Sequence, residues 1–279
     1  MMHAIADWNA VYDNAPAIPD GASWPGRWIE PARAFRESMG DRARTGIPYG
    51  PGDRNRLDLF LPQDRPKGLV VFVHGGFWMA LDRSFWSHLA QGPLAHGHAV
   101  AIPEYGLCPD IRIAGITAEI GAAITTAADL VEGPIRLAGH SAGGHLVSRM
   151  VSHTSPLSGA VRGRVAGVVS ISGLHDLRPL RRTWRQDTLR IDEAEARAES
   201  PALLEPLPGT CITCWVGASE TSEFRRQNAL LANIWRGLGA ATDCVEEPDR
   251  HHFNVVDGLA RADHPMLTAL LGSAGCRCG

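Results

Sequence analysis

The chain has little net charge. Its 27 Lys and Arg stand against 30 Asp and Glu, leaving −3 over 279 residues. So balanced a surface has no basic footprint, which argues against nucleic acid as a partner. Also missing is any run of eighteen uninterrupted apolar residues, so no segment is expected to span a membrane. Met1–Ala10 holds Asp7 and Asn9 and lacks the basic-then-apolar order of a secretory signal, so a cytoplasmic location is expected. The six cysteines, Cys108, Cys211, Cys214, Cys244, Cys276 and Cys278, form no disulfide framework. Cys211 and Cys214 have redox or metal spacing, but they lie in Thr210–Val216, which reads as a buried strand. Residues three apart in a strand face opposite sides, so the two thiols cannot close on one ligand, and no metal is expected. Internal repeats and low-complexity tracts are absent, and residues 272–279 read as a flexible Gly-rich tail carrying the last two cysteines.

What is present is an alternation. Short β-branched or continuous apolar runs at Leu69–Val73, Ala99–Ile102, Ile135–Ala138, Val165–Ile171, Cys211–Val216 and Ala241–Glu246 read as strands. Arg56–Leu61 alternates polar and apolar residues, as a half-exposed edge strand does. Segments of helical spacing lie between and after them: Ile113–Val131, Ala142–Val151, Ser222–Leu238 and Asn254–Leu271. Strands alternating with helices predict an α/β fold, a mostly parallel sheet clothed on both faces. The whole chain reads as one domain. Residues 1–50, with Trp8, Tyr12, Trp24 and Trp28, form an arm packed on the body, with one short helix at Pro31–Met39. Residues 174–207 interrupt the rhythm as a small, charged, helical cap-like insertion.

The chemistry centres on Gly139-His140-Ser141-Ala142-Gly143, between a strand and a helix. A serine on so sharp a bend is lifted out of the sheet, and the residues two before and two after it leave no room for side chains. Ser141 is the predicted nucleophile, with the Ala142 amide aimed at developing negative charge. Upstream, His74-Gly75-Gly76-Phe77-Trp78 closes the first buried strand. Its glycines let the backbone turn N–H groups inward, so the amides of Gly76 and Phe77 are expected to join Ala142 in an oxyanion hole. His74 is expected to brace this loop through a backbone hydrogen bond.

Serine needs a histidine to take its proton and a carboxylate to fix that histidine's tautomer. The histidine belongs in Pro248–Phe253, after the last strand. His252, directly before the apolar Phe253, is preferred to His251. The acid belongs after the preceding strand, where Glu220 is chosen. Asp176, one strand earlier, is its rival, and Glu223 reads as a charge at the start of a helix. Phe77 and Trp78 read either as core or as the lining of a pocket.

These motifs together resemble the α/β-hydrolase superfamily, and within it the kynurenine formamidase (arylformamidase) group and its esterase relatives. The likeness rests on His74-Gly75-Gly76-Phe77-Trp78, Gly139-His140-Ser141-Ala142-Gly143-Gly144, Tyr12-Asp13-Asn14, Ser172–Leu177, Glu220–Gln227 and His252-Phe253. It implies a metal-independent serine hydrolase with Ser141, Glu220 and His252 as triad and no cofactor. The family's more usual acid is aspartate, so the glutamate is a departure. The implied reaction is hydrolysis of N-formyl-L-kynurenine to L-kynurenine and formate through a formyl-enzyme, a step of tryptophan catabolism. The aromatic leaving group it implies calls for rings around it, for which Phe77, Trp78, Trp86 and Trp184 are candidates, and Arg181, Arg182 and Arg185 read either as a solvated basic face or as a hold for the substrate carboxylate. Two other readings remain: a carboxylesterase acting on short-chain acyl esters, and a non-catalytic binding module on the same fold, which loss of the serine or histidine would mark. The partner expected is a small-molecule substrate, and a homodimer is left open.

Overall fold

A computed structural model describes residues 4–272. The expected tail, apart from Gly272, and Cys276 and Cys278 lie outside the described residues. Eight strands form one sheet: β1 (Ala43–Pro48), β2 (Arg56–Phe60), β3 (Leu69–Val73), β4 (Ala99–Pro103), β5 (Ile135–His140), β6 (Val165–Ile171), β7 (Cys211–Gly217) and β8 (Ala241–Glu247). Their spatial order is β1-β2-β4-β3-β5-β6-β7-β8. The β1–β2 and β2–β4 pairs are antiparallel and the remaining pairs are parallel.

The sheet is apolar on both faces because its central strands alternate between two cores. Leu69, Val71 and Val73 of β3 pack with Ile116, Ile120 and Leu146 on one side. Val70 and Phe72 pack with Trp28, Phe35 and Leu267 on the other. Each such side chain, fully buried, contributes about 1.5–3 kcal/mol relative to exposure. The helix Ile113–Leu130 is long and apolar enough to cross a membrane by length and composition alone. In the fold it is seated on the sheet, with Ile113, Ile116, Ile120 and Ile124 buried.

Several boundaries differ from the sequence reading, each for a physical reason. The arm contributes a strand, β1, which pairs with β2 at the edge of the sheet; its Ala-Arg-Thr-Gly-Ile-Pro sequence carries no polar–apolar alternation and no residue in it is fully buried. Consequently β2 is not an edge strand. Asp58, the polar residue in its middle, is buried and accepts from Arg83 Nε at 2.9 Å and Gly46 N at 2.8 Å. The arm helix runs over Trp24–Met39 rather than starting at Pro31, because Trp28, Ala32, Phe35 and Met39 recur at helical spacing and bury one stripe. The final helix is broken. A 3-10 segment, Val255–Ala260, precedes the α-helix Pro265–Leu271, and Pro265 restarts the chain with the His264 side chain accepting from Met266 N. Residues 174–207 form short helical turns, among them Gln186–Leu189 and Glu193–Ala198, whose Leu180, Leu189, Ile191 and Ala196 are buried against the body.

Candidate active site

The candidate residues gather beyond the carboxyl ends of the parallel strands, where the ladder is extended by single hydrogen bonds. Ser141 N donates to Ile171 O at 2.8 Å, Ser172 N to Trp215 O at 2.6 Å and Ala218 N to Glu247 O at 2.8 Å. Ser141 sits between β5 and the helix Ala142–Arg149 at φ 57°, ψ −116°. This strained conformation is held because the crossing backbones leave no alternative. A Cβ on Gly143 would lie 1.9 Å from Val73 O, and one on Gly139 2.2 Å from Gly143 O.

The loop after β3 is equally constrained. Gly76 has φ 111°, and a Cβ there would meet Ala80 O at 2.2 Å. Phe77 and Trp78 follow at φ 50° and 58°, a left-handed turn that non-glycine residues enter at a cost. His74 braces the loop as expected: its Nδ1 lies 2.7 Å from Gly75 O and its ring stacks on Tyr105 at 4.3 Å. Burial lowers the His74 pKa to about 4, so the ring is neutral and Nδ1–H donates. Tyr105 Oη in turn donates to His74 O at 2.9 Å. The N–H groups of Gly76, Phe77 and Ala142 donate to no other group among the described residues. They remain available to an oxygen arriving from outside.

His252 and Glu220 are hydrogen-bonded to each other. His252 Nδ1 lies 2.7 Å from Glu220 Oε2, with the two side chains 4% and 0% exposed. The other carboxylate oxygen, Oε1, accepts from Ser172 Oγ at 2.5 Å and from Gly217 N at 2.9 Å. With both oxygens occupied, Glu220 has one orientation. The His252 main chain is also pinned, because His140 Nε2 donates to its carbonyl at 2.8 Å. Burial holds the His140 pKa well below its ordinary value, so that ring is a neutral donor.

The alternatives lie elsewhere. Asp176 is bound bidentately by Arg178 at 2.9 and 2.8 Å. His251 packs edge-on against Trp24 at 4.9 Å. Glu223 lies in the first turn of its helix, as expected, but is not solvated. It is buried and accepts from Tyr12 Oη at 2.6 Å, from Gln227 at 2.9 Å and from Arg226 at 2.7 Å, tying the arm to the helix Ser222–Gly237.

Ser141 and His252 line one cavity of about 310 Å³. Phe77, Trp86 and Trp184 line it, as expected of pocket residues. Trp78 does not: it is fully buried in the core, edge-on to His145 at 5.1 Å, because the left-handed turn sends consecutive side chains to opposite sides of the loop. Several residues that meet here were given no role in the site from the sequence. Ser172, quoted there only within the Ser172–Leu177 match, donates to the Glu220 carboxylate. Arm residues Asp13, Asn14 and Ala15 form a wall, and Trp28 and Phe253 line the cavity as a touching pair at 5.7 Å.

The BD-FAE family model matches residues 57–204, more than half of the chain. A crystal structure from Silicibacter sp. tm1040, provisionally described as a thioesterase, is 45% identical with a TM-score of 0.91, covering 95% of this chain and 99% of that one. Kynurenine formamidase from Salmo salar is 28% identical across 98% of this chain and 92% of its own length. Esterase B from Lactobacillus rhamnosis shares the fold at 18% identity with a TM-score of 0.66, covering 90% of this chain and 92% of that one. A serine on a strand-to-helix bend, a glycine loop beside it and a histidine from the far end of the chain thus meet at one end of this sheet, and the chain belongs to the BD-FAE family and is a hydrolase of the α/β-hydrolase fold.

Proposed function

We propose that the protein hydrolyses N-formyl-L-kynurenine to L-kynurenine and formate, with Ser141 as nucleophile, His252 as general base and acid, and Glu220 as the orienting carboxylate. The observation that carries this reading is the similarity to kynurenine formamidases over most of the chain, combined with a cavity that holds both Ser141 and His252 and is lined in part by Trp and Phe rings. In the first half-reaction His252 takes the Ser141 proton as the oxygen adds to the formyl carbon. The resulting oxyanion rests on the amides of Gly76, Phe77 and Ala142. The imidazolium formed is stabilised by Glu220 and gives its proton to the departing arylamine. A water activated by the same imidazole then releases formate from the serine. The aryl group rests among Phe77, Trp86 and Trp184.

A second reading, hydrolysis of short acyl esters, is favoured by the 45% identical neighbour described as a thioesterase. The same relay serves both, and pocket fit discriminates. Measured side by side, kcat/KM for N-formyl-L-kynurenine should exceed that for p-nitrophenyl acetate. The reverse order, with negligible formate release, moves the protein to the esterases.

A further inference from the structure

Arg185 lines the cavity with the hydrogen bonding of its guanidinium unfinished. Its side chain is 6% exposed. Yet its guanidinium donates no hydrogen bond within the described residues, and Nη1 is out of solvent without an acceptor. The Asp13 Oδ1 atom lies 3.6 Å from Nη2, beyond hydrogen-bond reach. Arg149, equally buried, shows what a finished site looks like: Nε and Nη2 reach Glu199 at 3.0 and 3.3 Å, and Nη1 reaches Thr154 at 2.9 Å. A buried cation lacking such partners is costly, and an arriving anion removes the cost.

Position makes this imbalance useful. Arg185 lies over the Phe77 ring at 4.1 Å and the Trp184 ring at 4.7 Å. These faces hold the guanidinium in place but satisfy none of its N–H groups. Phe77 therefore has two ends with different surroundings. Its amide is at the candidate oxyanion hole, and its ring carries the guanidinium, which has no acceptor within hydrogen-bond reach. Asp13, from the arm, lines the same cavity beside Arg185 and is 37% exposed. A cation and an anion side by side at the end of an aromatic slot match the two charges of a zwitterion.

We infer that Arg185 and Asp13 form a seat for the α-amino-acid head group of the substrate's leaving part, Arg185 taking the carboxylate and Asp13 the ammonium. The inference rests on the deformylase reading for the identity of the reacting group, but the seat is testable by binding alone. A bidentate guanidinium–carboxylate pair is the strong contact, and the ammonium–Asp13 contact sets the order of the two charges.

The test is titration calorimetry on the full chain with three ligands: L-kynurenine, kynuramine, which lacks the carboxylate, and 2-aminoacetophenone, which lacks the whole head group. L-Kynurenine should bind at least tenfold more tightly than either of the others. Arg185→Gln should abolish this advantage while shifting 2-aminoacetophenone severalfold at most. Asp13→Asn should weaken L-kynurenine and kynuramine together and leave 2-aminoacetophenone nearly unmoved; it keeps the test decisive if Arg185→Gln does not fold. Equal affinities for the three ligands, or equal loss for all three in Asp13→Asn, overturn the seat. Formate release from N-formyl-L-kynurenine is read separately. Its absence with the binding preference intact refutes the deformylase reading and not the seat.

Discussion

Replacing Glu220 by glutamine changes one atom, and the surroundings make the effect calculable. Three donors converge on two carboxylate oxygens: His252 Nδ1 at 2.7 Å on one, Ser172 Oγ at 2.5 Å and Gly217 N at 2.9 Å on the other. A glutamine has a single acceptor oxygen. If that oxygen stays with Ser172 and Gly217, the amide N–H₂ faces His252 Nδ1. The imidazole must then carry its proton on Nε2, the atom needed as base, and the wrong tautomer is locked in. If the amide flips, the N–H₂ faces the Gly217 N–H instead, leaving buried donors opposed at about 1–3 kcal/mol. The first arrangement is favoured. An equivalent change in a serine triad lowers kcat by about 10⁴, or about 5 kcal/mol in the barrier. Glu220→Gln should therefore reduce kcat/KM by about 10³–10⁴ at pH 7.5 with little change in KM, measured by formate release or ester hydrolysis. Asp176→Asn, whose carboxylate is engaged by Arg178, should stay within about tenfold of wild type. A loss of less than tenfold in Glu220→Gln, or a larger loss in Asp176→Asn, would refute the assignment of the acid.

Ser141→Ala should remove turnover while circular dichroism and the urea midpoint stay near wild type; undiminished hydrolysis would exclude Ser141 as nucleophile. Gly143→Ala should fail to accumulate as folded protein, because its methyl would sit 1.9 Å from Val73 O at the centre of the sheet. Soluble, active Gly143→Ala protein would contradict the packing at the elbow. Burial raises the Asp257 pKa to about 6, despite Arg250 nearby. The folded state therefore holds this proton more tightly than the unfolded chain, and stability falls as pH rises from about 4 through 6. Asp257→Asn should gain on the order of 1–2 kcal/mol at pH 7.5 and nothing at pH 4; an equal gain at both values rules out titration as the cause. Burial also lowers the pKa values of His145 and His175 to about 3. The unfolded chain takes up these protons first, so the stability they supply is full above pH 6.5 and declines as pH falls toward 3. Urea midpoints should drop steadily over that range, and a flat profile would count against neutral buried rings.

The sequence by itself determined the alternation of strands and helices, the elbow and the donor loop, since these depend on local chemistry. Continuous apolar runs mark strands covered on both faces, and a Gly-x-Ser-x-Gly bend leaves a steric signature in neighbouring residues. That Ser141, Glu220 and His252 each follow a strand end on the same side of the sheet was likewise legible from the order of the strands. Tertiary structure alone decided what depends on contacts between distant segments. The edge strand Ala43–Pro48 has no pattern of its own and exists because β2 offers it a partner. Trp78 and Phe77 are adjacent and both aromatic, and only the left-handed turn sends one to the core and the other to the cavity. Glu220 and Glu223 differ by three positions, yet one meets His252 and the other Tyr12 of the arm. Such pairings arise from the free energy of burying two charged or polar groups together, a quantity that no single stretch of chain contains.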